Sequence, residues 1–199
     1  MQAAPADGPK SQAMPATENP KHMKKNVVIF GLISGLIITA MMIGSTVACY
    51  RNENFEGNMV AGYAAMIIAF SFIFIGIRNF RDRYNAGLIT FGKAFKIGLY
   101  ITLIASTIYL LVWLVEYYLF IPDFMEKYIA HVMREAEASG ASQAELDKKA
   151  AQMDSYKEMY KNPLFVVIFT YLEVFPIGLV ISLISALILK RKSGAAVAN

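Results

Sequence analysis

An isolated glutamate deep inside an apolar run, Glu173, is the strongest candidate for chemistry in this sequence. It lies nine residues into the run Leu164–Leu189, which is about 14 Å along a helix at ~1.5 Å per residue. Pro176 follows one turn later and cannot donate a hydrogen bond to the carbonyl of Leu172. A carboxyl group beside a freed carbonyl predicts an ion or proton site like those of interrupted transmembrane helices.

A structural role for Glu173 fits the sequence better than an ion site. In this role a protonated Glu173 forms a hydrogen bond to Thr170 or to a neighbouring helix. Polar side chains in a membrane commonly hold helices together in this way without binding an ion. Gly178 lies about 140° around the helix from Glu173, so the helix face with small residues is not the face that carries the acid. Either this helix is buried on two sides, or the chain self-associates.

A second isolated acid, Glu116, lies near the end of the run Ile97–Ile121. It shares a helix face with Tyr109, and the neighbouring aromatic residues Trp113 and Tyr117 are typical of the membrane interface. Glu116 is therefore a candidate for the lining of an external vestibule. An acid that is hydrogen-bonded within the helix bundle is the simpler interpretation.

The sequence contains no recognisable catalytic, cofactor-binding or metal-binding motif. Of its two histidines, His131 lies one turn from Glu135, and two such ligands are too few for a zinc site. The phosphate-binding glycine loop, the zinc-protease helix motif and the nucleophile elbow are all missing from the sequence. We therefore expect a protein that is not an enzyme and that uses no cofactor or metal.

Four long apolar runs must position these side chains. About 20 helical residues cross the hydrocarbon core of a bilayer, where open backbone groups find no water. A composition that is 56% hydrophobic and 17% charged fits such spans. The sequence predicts an all-α integral membrane four-helix bundle within residues 23–192. The predicted spans are Val27–Cys49, Met59–Ile77, Ile97–Ile121 and Leu164–Leu189.

Small residues recur along these spans at helical spacing, which predicts the faces that pack together. The most regular series, on the third span, ends at Tyr109 and Glu116. The first span has Gly31-x-x-x-Gly35, which suits packing within the bundle or a contact between two copies. The other series are Ala61, Ala65, Ala69 and Gly76 on the second span and Gly178, Ser182 and Ala186 on the fourth.

The charges between the runs divide into a basic and an acidic set. Twelve of the 19 Lys and Arg residues flank the runs on one side, together with three carboxylates, so that side carries +9. The other side, 50–58 and 122–162, has seven basic residues and ten carboxylates, so it carries −3. Cytoplasmic loops hold the excess of Lys and Arg. We therefore expect both termini in the cytoplasm.

The segments outside the spans have their own predicted structure. Residues 122–162 predict an external helical hairpin, in which Gly140 ends one arm and Ser142-x-x-Glu145 caps the next. Asn162-Pro163 leads from that arm into the last span. Residues 1–22, rich in Ala and Pro, predict a disordered cytoplasmic tail, and 193–199 a second cytoplasmic tail.

The loop between the second and third spans mixes basic and aromatic residues. Such residues beside a membrane suit anionic lipid headgroups, although setting the topology explains them equally well. So short a loop does not indicate nucleic-acid binding. The candidate lipid contacts are Arg78, Arg81, Arg83, Lys93 and Lys96.

The same loop carries a recognisable pattern. Arg78-Asn79-Phe80-Arg81-Asp82 precedes Asn85-Ala86-Gly87 and Phe91-Gly92-Lys93-Ala94-Phe95, and Pro122-Asp123-Phe124 follows the third span. With these residues the chain, from Lys24 to Lys192, resembles a family of small bacterial membrane proteins catalogued as domain of unknown function 4199. The resemblance implies a four-helix inner-membrane protein and no defined catalytic residue.

Two functions remain open at this point. The first is a non-enzymatic scaffold, accessory or regulatory subunit whose partners are membrane lipids and a membrane protein or a second copy of the chain. The second is an oligomeric transporter or channel subunit that uses Glu173 beside Pro176. The external hairpin favours the first, and the intramembrane acid favours the second.

Overall fold

A computed structural model describes residues 20–191, except for 53, 54 and 56–58, and this part of the chain is almost entirely helical. The prediction of an all-α protein is confirmed. The helices are α1 (Pro20–Asn52), α2 (Met59–Tyr84), α3 (Phe91–Val115), α4 (Phe124–Ala138), α5 (Gln143–Tyr160) and α6 (Pro163–Leu189), and a π-helical turn, Glu116–Phe120, extends α3.

Four of these helices are long and apolar enough to cross a membrane: α1, α2, α3 with its π-turn, and α6. They confirm the prediction of four membrane-crossing helices. Charged residues continue α1, α2 and the start of α3 beyond the apolar runs, whereas Ile121, the last residue of the third run, lies outside the helix. Beyond Ile77, for example, Asp82 pairs with Arg78 and Arg81 within α2. At the N-terminus, α1 begins at Pro20, three residues inside the predicted tail. The rest of that tail and the predicted tail 193–199 lie outside the described residues.

The third span lies at the centre of the bundle. It packs against α1 on one side and α6 on the other, and α2 also contacts α1 and α6. The core between them is formed by large side chains from α2 and α3 that are fully buried. These include Phe70, Ile73, Ile97 and Ile101.

Glycines let α3 approach its neighbours closely, as the small-residue pattern predicts. Gly178 of α6 faces Thr102 of α3, whose hydroxyl lies 3.0 Å from that of Ser182. Gly31 and Gly35 face Ile104 and Ile108 of α3, so the G-x-x-x-G motif packs within one chain. The series on α2 is buried at Ala65, Ala69 and Gly76, but Ala61 is exposed, and that part of the prediction is wrong.

Polar contacts close one end of the bundle, which we call the basic end: the start of α1, the α2–α3 loop and the end of α6. Asn26, only 3% exposed, donates to the carbonyl of Gly76 at 2.9 Å and accepts from Asn79 at 2.6 Å. Arg81 donates to the carbonyl of Leu189 at 3.4 Å. These contacts tie α2 to both α1 and α6.

The chain after α6 pairs with the α2–α3 loop. The backbone N–H groups of Ile89 and Arg191 each donate to the other residue's carbonyl, at 3.0 and 2.8 Å. The preceding turn needs two residues with positive φ, Ala86 at 50° and Gly87 at 76°, and glycine adopts this conformation without strain. The pair fixes the end of α6 against the loop.

The predicted hairpin is present at the opposite end, which we call the hairpin end. Helices α4 and α5 are joined at Gly140, whose φ of 79° suits glycine, and Ser142 and Glu145 form the predicted capping box. The Asn162 side chain accepts from the N–H of Leu164 at 3.0 Å and caps α6. All three local sequence signals therefore mark the ends of real helices.

The hairpin is attached to α1 by a small polar cluster. The Tyr50 hydroxyl donates to the Asp123 carboxylate at 2.8 Å, and Lys127 pairs with the same carboxylate at 2.9 Å. The Lys127 ammonium also lies 4.4 Å from the centre of the Tyr50 ring. The hydrogen bond from Lys127 lowers the pKa of Asp123, and that from Tyr50 lowers it further.

We predict that Gly178→Ala destabilises the bundle. A Cβ at this position would collide with Cγ2 of Thr102 and lie 3.0 Å from Cζ of Phe70, and such overpacking typically costs about 1–3 kcal/mol. Thermal unfolding in detergent micelles measures the effect. The control is Gly44→Ala, because a Cβ at Gly44 meets nothing within 4 Å. Equal unfolding midpoints for the two variants would contradict this packing.

We predict that Asp123→Asn lowers the unfolding midpoint at pH 7 but not in acid. Because the pKa of Asp123 is lowered in the folded state, its stabilisation is complete above the unfolded pKa, about 3.9. That stabilisation is lost as the pH falls through the lowered folded value. Unfolding curves at pH 7 and at a pH below both values test this. Glu158→Gln, which removes an exposed pair with Lys161, serves as the control, and a pH-independent difference would be the contrary result.

Candidate functional site

Glu116 occupies an unusual position at the hairpin end of α3. It is the first residue of the π-turn, where its carbonyl accepts from the N–H of Ile121 at 2.9 Å, and π-turns are frequent at functional sites. Its side chain is only 8% exposed, and its Oε2 atom has no hydrogen-bond partner in the described part of the chain. The Thr46 hydroxyl of α1 lies close to the carboxyl group.

Tyr109 connects the two intramembrane acids. It lies on the same face of α3 as Glu116, is partly buried, and is within electrostatic reach of the carboxylates of both Glu116 and Glu173. The sequence placed Tyr109 on the same helix face as Glu116, and the structure adds its proximity to Glu173. The acids themselves come from different helices, α3 and α6.

Glu173 is exposed on the surface of α6. Within the described residues, Glu173 makes no hydrogen bond or ion pair. Thr170, its predicted partner, is buried and donates to the carbonyl of Val166 at 2.7 Å instead.

Pro176 does not interrupt the helix next to Glu173. Helix α6 is a single helix from Pro163 to Leu189, with Pro176 inside it. Both Pro176 and Leu172, whose carbonyl lacks its usual donor, are exposed. Leu172 and Glu173 differ by about 100° around the helix. The predicted convergence of the acid with a broken segment of helix is therefore not found.

The hairpin contributes a residue that the sequence analysis missed, Tyr160. Its ring meets that of Tyr117 at 5.9 Å and stacks on that of Phe169 at 6.2 Å. Burial raises the pKa of Tyr160, and the Glu173 carboxylate raises it further, which places the two groups close together. The only signal in the sequence is that Tyr160 immediately precedes the Lys-Asn-Pro turn into α6.

Together these residues form what we call the acid–tyrosine site: Glu116, Glu173, Tyr109, Tyr117 and Tyr160. In the described part of the chain, ion pairs involve the carboxylates of Asp82, Asp123, Glu126 and Glu158, and none involves the two acids of the site. The site can therefore accept positive charge. The described residues contain no group of three His, Cys, Asp or Glu side chains arranged for a metal ion.

The five candidate lipid contacts do not share one environment. Arg78, Arg83 and Lys96 are exposed at the basic end. Arg81, with a side chain 17% exposed, binds Asp82 and the end of α6. Lys93 donates to Asn85 at 3.0 Å and lies 4.8 Å from the centre of the Phe80 ring. Arg81 and Lys93 therefore help to stabilise the fold. Contact with lipid remains a prediction for all five residues.

Comparison with known proteins assigns the sequence to a family but does not identify an activity. A family described as a protein of unknown function, DUF4199, matches residues 29–191. No curated protein and no solved structure matches the chain. The match includes most of the first span, all of the other three and every residue of the acid–tyrosine site. It agrees with the resemblance carried by the loop between the second and third spans. The chain is thus a member of the DUF4199 family, with four helices suited to crossing a membrane.

Proposed function

We propose that this protein is a non-enzymatic scaffold, accessory or regulatory subunit that acts by binding within the membrane. The observation that carries the proposal is Glu173, an accessible acid without a partner in the described chain, near the middle of α6. A carboxyl group that faces lipid at this depth costs a few kcal/mol on insertion scales. A polar group from another membrane protein, or from a second copy, would remove that cost.

The proposal includes a location. The basic flanks support the bacterial cytoplasmic membrane with both termini in the cytoplasm, which puts the hairpin and the acid–tyrosine site at the external end. Activity of a periplasm-specific reporter fused after Asn199 would contradict this orientation.

We predict that Glu173→Leu weakens association of the protein with its partner. The expected loss is about 3- to 20-fold, since an interhelical hydrogen bond in a membrane is worth roughly 0.6–1.7 kcal/mol. Purification in mild detergent followed by native mass spectrometry measures the stoichiometry of the complex. Ile188→Ala, at another exposed position of α6, should leave it unchanged. A wild-type protein that remains a monomer without any stoichiometric partner would refute the proposal.

A second function, an oligomeric transporter or channel subunit, is favoured by one further observation. Tyr109 lies within reach of two acids that stand at different depths along the bundle, which is the arrangement a permeating cation or proton would need. Four spans enclose little space, so this function requires at least two copies of the chain.

For this second function we predict that Glu173→Gln reduces cation flux. The substitution removes the ionisable group at the deeper of the two acids while keeping its size, so a path through the acid should slow. Flux into proteoliposomes is compared for wild-type protein, Glu173→Gln and Ile188→Ala. Wild-type flux that Glu173→Gln leaves intact would exclude this role for the acid.

A further inference from the structure

We infer that the acid–tyrosine site binds a small organic cation, an amine or quaternary ammonium, between its carboxylates and the faces of its tyrosine rings. The inference rests on the proposed function only in treating the chain as a membrane protein that acts by binding. It adds the chemical class of a ligand, which the proposed function leaves open. Glu116 is the central residue, and Tyr109 lies within electrostatic reach of both Glu116 and Glu173.

The first argument is the state of Glu116. A carboxyl group that is 8% exposed and has an oxygen without a hydrogen-bond partner is costly to bury in its ionised form, and it stays protonated unless a positive charge compensates it. The Thr46 hydroxyl, which lies close to this group, donates its proton to the carbonyl of Met42 at 3.1 Å. No Lys, Arg or His of the described chain pairs with this carboxylate. A bound cation would supply the missing charge.

The second argument is the tyrosine content of the site. Tyr109, Tyr117 and Tyr160 come from two elements, and the rings of Tyr117 and Tyr160 are 5.9 Å apart in an edge arrangement. Aromatic faces attract cations within about 6 Å of the ring centre, and they favour weakly hydrated organic cations such as quaternary ammonium groups. The chain already uses this interaction where Lys127 lies over the Tyr50 ring.

The third argument concerns the kind of cation. Calcium and magnesium ions take six or more oxygen ligands, and a zinc site takes about four ligands, mostly Cys and His. The acid–tyrosine site offers two carboxyl groups, and the remaining polar groups are hydroxyls on aromatic rings. This set is poor for a bare metal ion and suits a cation with an apolar surface of its own.

The fourth argument is access. The basic end is closed by the Asn26–Asn79 hydrogen bond and by the pairing of Ile89 with Arg191. At the hairpin end, the five successive residues Val60–Ala64 of α2 are all exposed. Five residues cover every side of a helix, so α2 is loosely covered there. A ligand would therefore enter from the hairpin end.

The test is calorimetric titration of tetraethylammonium chloride into the full-length protein in lipid nanodiscs, with sodium chloride as the reference salt. We expect saturable binding to the wild-type protein. Glu116→Gln should weaken it by at least about tenfold, the effect of losing a charged partner in a buried site. The control is Glu137→Gln, an exposed acid of α4, and it should bind like the wild type.

A second pair of variants separates the ring from the hydroxyl. Tyr160→Leu should weaken binding by about 2- to 30-fold, the range of a cation–π contact, while Tyr160→Phe keeps the ring and should retain binding. This pair decides the question if Glu116→Gln does not fold, which circular dichroism in the same nanodiscs reports.

Three results would overturn the inference: a folded wild-type protein that does not bind, equal affinity in wild-type and Glu116→Gln proteins, or equal competition by sodium ions, which would indicate an inorganic cation. The association measured for Glu173→Leu is a separate readout. A wild-type protein that forms its complex but does not bind tetraethylammonium refutes this inference alone, and a wild-type protein that binds tetraethylammonium but forms no complex refutes the proposed function alone.

Discussion

Close approach of α3 to α1 and α6 is the contact on which the rest of the structure depends. Lipid tails are as apolar as leucine, so burial of apolar surface does not hold membrane helices together, and packing and hydrogen bonds must do so. Glycines on α1 and α6 admit the side chains of α3, and the Thr102–Ser182 hydrogen bond joins two helices inside that contact. This contact fixes the rotation of α3. Tyr109 and Glu116 lie on the same face of that helix and are turned inward with it.

The spans and the helix ends could be predicted from the sequence because each depends on a local cause. Hydropathy determines which helices are long enough to cross a bilayer. Ser142, Glu145 and Asn162 mark helix starts through bonds to backbone groups only a few residues away. Gly31 and Gly35 were predicted to be a contact face, and only the structure identifies α3 of the same chain as the helix they contact.

The composition of the site depends on contacts between residues far apart in the chain. Tyr160 reaches Tyr117 because the hairpin folds back on the end of α3, and no local pattern encodes that return. Likewise, a hydrophobic pattern with the 3.6-residue period of an α-helix does not predict the π-turn at Glu116. Arg81 was predicted to contact lipid from its charge, whereas its position beside Leu189 gives it a carbonyl partner more than a hundred residues away. Ala61 fits a small-residue series, but the start of α2 is exposed.

The tyrosines and acids of the site belong to two parts of the molecule. Tyr160 is the last residue of the hairpin arm α5, whereas Glu116 and Glu173 belong to two spans, α3 and α6. The opposite end of α6 is held by the hydrogen bond from Arg81 to Leu189. An occupant that touches both parts would favour one tilt of the arm over others. By thermodynamic linkage, a partner that binds the hairpin arm from outside would then change the affinity of the site for its occupant. The occupant would change the affinity for that partner by the same factor. A ligand bound at the acid–tyrosine site would in this way couple the hairpin to the spans without movement of a span.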